Sequence, residues 1–310
     1  MASFAVGTYR GSVHCFKLSC VAIESADDKK LEITPLFSDD SHTGSIKTLA
    51  NCKKYLASSS TDDSIRVYDV GRRREVASLI KISCMTIDKT GAYSLGFYRN
   101  KILVATCSDG YVRAWSTNGW VPILEVNAHE PKESSFTFIE TSPLFLSVGI
   151  EKSIKMWNLS NQKMESKSEL HSKPLKICAG KDFKYSIIFE DCFKVYSYKF
   201  NSCTKIEKLG VTSIGFIGDY LVYGGEFKYI AIFSIGEGVD VIKWDIGYNR
   251  TRDLKVLDVP SFGPVIITVH SEGYVVIYDA RFLNEQQPPS VLCEFPVNDR
   301  LICCSAENSC

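Results

Sequence analysis

One short pattern recurs seven times along the chain: an aromatic residue preceded, at minus three and minus one, by branched or small apolar residues. The copies are Val13-x-Cys15-Phe16, Ile65-x-Val67-Tyr68, Val112-x-Ala114-Trp115, Ile154-x-Met156-Trp157, Phe193-x-Val195-Tyr196, Ile230-x-Ile232-Phe233 and Val275-x-Ile277-Tyr278. Apolar residues alternating with a period of two line one face of a β-strand. Each copy therefore predicts a strand that ends on a bulky ring. The aromatics lie 37 to 52 residues apart, an interval that accommodates a few short strands and their turns. Repeats of this length bury their faces by stacking on neighbours, so the chain reads as an all-β array.

The fullest copy is SHTGSIKTLANCKKYLASSSTDDSIRVYDV, residues Ser41 to Val70. It predicts strands at Gly44–Ala50, Tyr55–Ser60 and Ser64–Val70, with a turn at Thr61–Asp63. The order His…Ser-x-x-Asp-x-Ile-x-Val-Tyr-Asp resembles a WD repeat, with Tyr68 in place of the name-giving tryptophan. The resemblance implies a seven-bladed β-propeller of four-stranded blades. Wider intervals then read as loop insertions, such as the polar stretch Glu24–Lys30. A length of 310 residues would by itself suggest two domains, but a closed ring is one, so residues 1–310 are expected to form a single propeller.

The two ends of the chain complement each other. Phe4–Thr8, Ser12–Leu18 and Leu31–Phe37 supply three strands of a first blade that lacks its inner strand. At the far end Val291–Phe295 completes the seventh blade and Arg300–Ser305 is left over. The economical assignment puts Arg300–Ser305 inside blade one, closing the ring and removing an exposed sheet edge. Asn118-Gly119 predicts a tight hairpin at the end of blade three. Arg72, Arg73 and Arg74 fall short of a nucleic-acid-binding basic cluster and read as a solvated link.

Charge and cysteine usage narrow the function classes. With 36 basic and 36 acidic residues the net charge is zero, which gives no support to direct pre-rRNA contact, although a local basic face would still permit it. The start MASFAVGTYR has no charged region followed by an apolar one, so secretion is not expected. The 12 cysteines are accordingly read as reduced and mostly buried small apolar residues, with Cys310, Cys20 and Cys52 the more reactive ones. No metal-ligand spacing is present, and Cys303-Cys304 puts two thiols on opposite faces of a strand. No apolar run is long enough for a membrane helix. Phosphate-loop, dinucleotide-binding and zinc-protease motifs are absent, so no cofactor and no enzymatic activity are expected.

In a WD blade a His, a Ser or Thr, an Asp and the Trp form a buried hydrogen-bonded relay. Blade two offers His42, Ser58, Asp62 and Tyr68, and blade four offers His129, Ser147, Glu151 and Trp157. Blade three keeps Asp109 and Trp115 without an obvious His, and blades five to seven keep little beyond the aromatic. These residues are expected to be structural, since no nucleophile with an oxyanion site accompanies them.

Three runs carry a narrower likeness: GFYRNKILVATCSDGYVRAW (Gly96–Trp115), LSVGIEKSIKMWNL (Leu146–Leu159) and PPSVLCEFPVNDRLICC (Pro288–Cys304). They resemble the p21-activated kinase-interacting WD-repeat proteins, whose fungal relatives are large-subunit ribosome assembly factors. The resemblance implies a nucleolar or nuclear scaffold, monomeric within larger complexes, for ribosomal or assembly proteins. Cytoplasmic residence and a kinase-binding regulator form the alternative. Members commonly carry a Lys-rich tail after the propeller, and this sequence reaches Cys310 without one, so no tail function is carried over.

The loops before the inner strands and those between second and third strands are expected to share one rim. Its candidate contact residues are Asp62, Asp63 and Tyr111 on one side. Phe227, Tyr248, Arg250 and Arg252 lie on the other, with Tyr9, Arg10 and Arg300 beside the closure. Exposed aromatics and arginines are favoured interface anchors.

Overall fold

A computed structural model describes residues 2–22, 29–79, 91–139, 142–197, 202–281, 283 and 287–306. These residues form 28 strands and no α-helix. The strands make seven antiparallel four-stranded sheets, each a blade of a β-propeller. In blades two to seven the four strands are consecutive in the chain, from Ile46–Asn51 of blade two to Val291–Pro296 of blade seven.

Blade one is built from both ends. Its sheet runs Leu301–Ala306, Ala2–Thr8, Val13–Ala22, Lys29–Asp39 from the centre outward. Leu301–Ala306 pairs antiparallel with Ala2–Thr8, with Phe4 opposite Ala306 and Val6 opposite Cys304. The ring therefore closes through the leftover strand. The insertion expected at Glu24–Lys30 is shorter than read, because strands extend to Ala22 and resume at Lys29; residues 23–28 lie outside the described residues. Strands are also expected from the sequence at Glu75–Ile80, Ser134–Glu140 and Cys192–Tyr198, and the last residue of each likewise lies outside the described residues.

Successive side chains of a strand face opposite neighbours, and this creates one apolar core between each adjacent pair of blades. Phe4, Val6, Leu18 and Leu301 pack on Leu257, Val265 and Ile277 between blades one and seven. Ala5, Val13 and Cys15 pack on Ile46, Leu56 and Tyr68 between blades one and two. The adjacent thiols Cys303 and Cys304 divide between these two cores, as the alternation requires. Five further clusters of the same kind complete the circle.

Two sets of bulges shape the blades. In six blades the register between third and outer strands slips immediately before the repeat aromatic, at Phe16, Tyr68, Trp115, Trp157, Phe233 and Tyr278. In six blades the inner strand carries one extra residue near its rim end: Lys47, Tyr93, Leu175, Thr212, Arg252 and Ile302. An extra residue bends its strand and re-aims its own side chain.

The tight hairpin expected at Asn118-Gly119 is not formed. The strands Tyr111–Ser116 and Pro122–Asn127 are joined by a five-residue link, residues 117–121, closed by a Ser116 N–H donated to the Val121 carbonyl at 2.9 Å. Trp120 adopts a positive φ of 56° and packs edge-on against Tyr55 of blade two, 5.0 Å between ring centres.

Candidate functional site

The rim is organised by the relay residues. In blade four His129 Nδ1 lies 2.5 Å from Glu151 Oε1, and Nε2 lies 2.7 Å from Ser147 Oγ. Trp157 Nε1 donates to the same hydroxyl at 2.9 Å. Ser147 Oγ thus accepts from the indole and donates to the imidazole, while Nδ1–H donates to Glu151. Burial alone would push Glu151 up, but hydrogen bonds from His129 and Ser153 hold its carboxyl well below the usual range. Gly149 makes room for this: a Cβ there would collide with the His129 ring and the Glu151 carboxylate.

Blade two repeats the arrangement with Tyr68. His42 Nδ1 lies 2.9 Å from Asp62 Oδ2 and Nε2 lies 2.7 Å from Ser58 Oγ. The Tyr68 hydroxyl, buried beside Ser58, donates to Asp39 Oδ1 at 3.0 Å. Asp62 also accepts from Thr43 N, Ser64 N and Ser64 Oγ, so both of its oxygens are taken. As a partner contact on the rim it is therefore already engaged. Burial lowers the His42 pKa despite Asp62, so the ring is neutral at physiological pH.

Elsewhere the relay is altered. In blade three Asp109 takes a fork of two hydrogen bonds from Arg113 at 2.8 and 3.0 Å, and Trp115 is half-buried against the core between blades two and three. Blade five places Ile187 at the register position of Ser58 and Ser147. With no hydroxyl at that position, His171 stands exposed against Phe189, 4.3 Å between ring centres, and its Nε2 lies 3.0 Å from Ser172 Oγ. Its donor atoms, those of Asp191 and those of Cys192 lie within 4.8 Å of one another, the one such group among the described residues. Lys194 Nζ sits 3.2 Å from His171 Nδ1, and burial followed by Asp191 raises the Cys192 thiol. Burial and then Lys194 lower the His171 pKa, and hydrogen bonds lower that of Asp191, so the group consists of a neutral imidazole, a carboxylate and a protonated thiol.

Blade seven is richer than its sequence reading. Thr268 occupies the relay register, and its hydroxyl lies 2.9 Å from Nε2 of His270, two residues along the same strand. His270 is fully buried, and burial pushes its pKa down to about 4. The sequence signal was there, a Thr-x-His at a strand end, but the histidine is not in the loop where a WD relay would put it.

A second set of polar ties crosses the axis. Asp253 on the inner strand of blade seven accepts from Lys176 Nζ of blade five at 2.7 Å and from Ser213 Oγ of blade six at 2.6 Å. Its other oxygen accepts the Cys304 N–H of the closing strand at 3.1 Å. Burial opposes ionisation here, yet Lys176 and Lys255 hold the carboxyl far below its usual range. One carboxylate therefore joins four inner strands. No motif announced it, because its partners lie 40 to 77 residues away.

The rim residues fall into separate groups. Tyr9 N donates to the Arg300 carbonyl at 2.8 Å, the Arg300 guanidinium lies 5.6 Å from the Tyr9 ring, and Arg10 pairs with Asp299 at 3.8 Å. Arg250 pairs with Glu226 at 2.9 Å, and Arg252 reaches the same carboxylate at 3.5 Å. Phe227 stacks on Tyr229 at 4.2 Å, while Tyr248 stacks on His270 and bonds Glu294. On the far side Asp63 accepts from Gly91 N at 3.1 Å, and Arg113 covers the Tyr111 ring at 5.0 Å. The six bulged residues lie one position in from this rim. Because neighbouring inner strands touch around the ring, they encircle the mouth of the central channel. Lys47 Nζ stands 4.7 Å from the Tyr93 ring there, and Leu175 is 39% exposed.

The family model for "WD domain, G-beta repeat" matches residues 33–69, the stretch from the outer strand of blade one through the complete relay of blade two. Together with seven four-stranded blades this decides the class. The chain is a WD-repeat propeller. Along 93% of its length it is 26% identical to p21-activated protein kinase-interacting protein 1-like of Gallus gallus, covering 78% of that protein. It is 27% identical over 154 residues to Protein MAK11 of Saccharomyces cerevisiae, 46% of this chain and 37% of the yeast protein. Among solved structures the propeller superposes on U3-55K with a TM-score of 0.74 at 12% identity, covering 85% of each chain, a likeness of fold.

Proposed function

We propose that this WD-repeat propeller is a non-enzymatic scaffold that acts in the nucleolus during assembly of the large ribosomal subunit, binding ribosomal or assembly proteins through its rim. The observation that carries the reading is near-full-length similarity to the p21-activated kinase-interacting proteins, beside the resemblance of the Gly96–Trp115, Leu146–Leu159 and Pro288–Cys304 runs to that family. The site's chemistry agrees with it. The His–carboxylate pairs are tied into relays with their hydrogen bonds spent internally, and the channel's charged groups bond one another. Such networks set loop positions and keep these histidines and carboxylates engaged with one another.

A second reading is favoured by the names of two relatives. The Gallus protein is called kinase-interacting, and a Schizosaccharomyces pombe relative, 23% identical over 90% of this chain, is called Shk1 kinase-binding protein 15. On that reading the rim holds a kinase segment. Gradient sedimentation of an extract containing the tagged chain separates the two. Co-migration with large-subunit precursors, together with capture of assembly proteins, is the expected result. Migration as a free or kinase-bound species, with no precursor association, would replace the first reading by the second.

A further inference from the structure

We infer that the mouth of the central channel holds an anion pocket centred on Arg252, which takes a carboxylate side chain from an acidic segment of a partner protein. Arg252 is the bulged residue of blade seven's inner strand, so its side chain is offset from the sheet register at the rim end. A guanidinium has five N–H donors. That of Arg252 makes one long contact, 3.5 Å to Glu226, and its Nε is buried with no hydrogen-bond partner. A buried donor without a partner is costly, and because this Nε is covered, the cost is recovered only when the guanidinium turns to meet an acceptor at its solvent-reaching end.

The surroundings are cationic on the side of the closure. Arg250 is held in place by Ser271 Oγ at 2.6 Å and by Glu226 at 2.9 Å. Arg300, exposed just before the closing strand, lies beside the Tyr9 ring and close enough to repel Arg252. Burial and then the charges of Arg250 and Arg300 lower the Arg252 pKa, and these outweigh Glu226 and Glu272. Positive charge thus accumulates at this point beyond what the local carboxylates offset. A carboxylate entering the pocket would relieve that repulsion and engage the free donors in a charge-assisted pair.

The occupant is a protein segment and not RNA, because of what lies between the arginines. Glu226, Glu272 and Asp299 are interspersed with them, and the chain as a whole has no net charge. A nucleic-acid strand follows a continuous basic track, and here it would meet these acids at each step. A single side-chain carboxylate needs only the pocket. The proposal rests on the protein-binding reading above but not on its ribosomal part, so its failure would leave the sedimentation result untouched.

The test uses the purified propeller and a short fluorescein-labelled peptide of alternating Glu and Ser, with a Gln–Ser peptide as control and anisotropy as readout. Wild type should prefer the Glu peptide, and Arg252→Gln should weaken binding about tenfold or more. Glu226→Gln, which removes the competing carboxylate, should tighten it several-fold, a gain that misfolding cannot produce. Should Arg252→Gln fail to fold, Glu226→Gln and the exposed Arg300→Gln decide between tighter and weaker binding in the same assay. Equal affinity for both peptides, unchanged binding by folded Arg252→Gln, or no gain in Glu226→Gln overturns the pocket. So does an oligouridylate that binds in an Arg252-dependent way while the Glu peptide does not.

Discussion

At the scale of single residues, the relay positions are where one atom serves several strands. Ser147 Oγ meets both His129 and Trp157 inside blade four. Ser147→Ala would leave two buried ring nitrogens without a partner, so we expect a loss of about 2–3 kcal/mol in urea unfolding. Adding Trp157→Phe should cost less than the sum of the single changes, since the indole N–H it removes is already orphaned. His270 yields a pH prediction. Its folded pKa of about 4 lies below the ordinary histidine value of 6.5. Between those values the unfolded chain binds more protons than the folded one, so stability falls as pH drops from about 6.5 to 4. The window is worth roughly 3 kcal/mol at most. His270→Gln should flatten the dependence of melting temperature on pH in that interval; a slope equal to wild type would count against this assignment. His42 and His129 were readable from the sequence because their loop placement matches a known pattern. His270 was not, because it reaches the relay position from within a strand.

Among the elements, the closing strand Leu301–Ala306 has the largest consequence. It covers the inner edge of Ala2–Thr8 and supplies apolar groups to the cores on both sides. Truncation after Pro296 should expose that edge, lower the melting temperature and promote association, measured by light scattering. An unchanged melting temperature in a monomeric truncate would show that the ring does not depend on this strand. Asp253→Asn probes the same closure with the strand kept. It weakens the tie between the inner strands of blades five, six, seven and one, and should cost roughly 3 kcal/mol, somewhat tempered because Lys176 is partly solvated. The strand itself was legible as a leftover segment facing an incomplete blade. Its anchoring carboxylate was not, since sequence spacing says nothing about which inner strands meet across an axis.

For the whole molecule, seven cores between blades hide most of the reactive chemistry. Cys15, Cys52, Cys107, Cys192, Cys303 and Cys304 are buried, and burial pushes the Cys15 thiol up to about 12 and Cys107 to about 11. Thiol titration of native protein should therefore leave these six silent and reach half-buried Cys20 and Cys293 first; Cys310 lies outside the described residues. This corrects the expectation for Cys52, which sits next to a turn but is 3% exposed. Unfolding without reductant should release all 12, and a shortfall would mean disulfides. What the sequence determined by itself is the architecture: seven aromatic-ended strands, an incomplete first blade with its missing strand at the other end, and two full relays. Each of these is local, or is a count of local units, and period and spacing report such things directly. What only the tertiary structure decided is where blades meet. The Asp253 tie, the packing of Trp120 on Tyr55 and the ring of bulged residues around the channel all join residues from different blades. Their proximity follows from closing a circle, a constraint on the whole chain that no stretch of it carries alone.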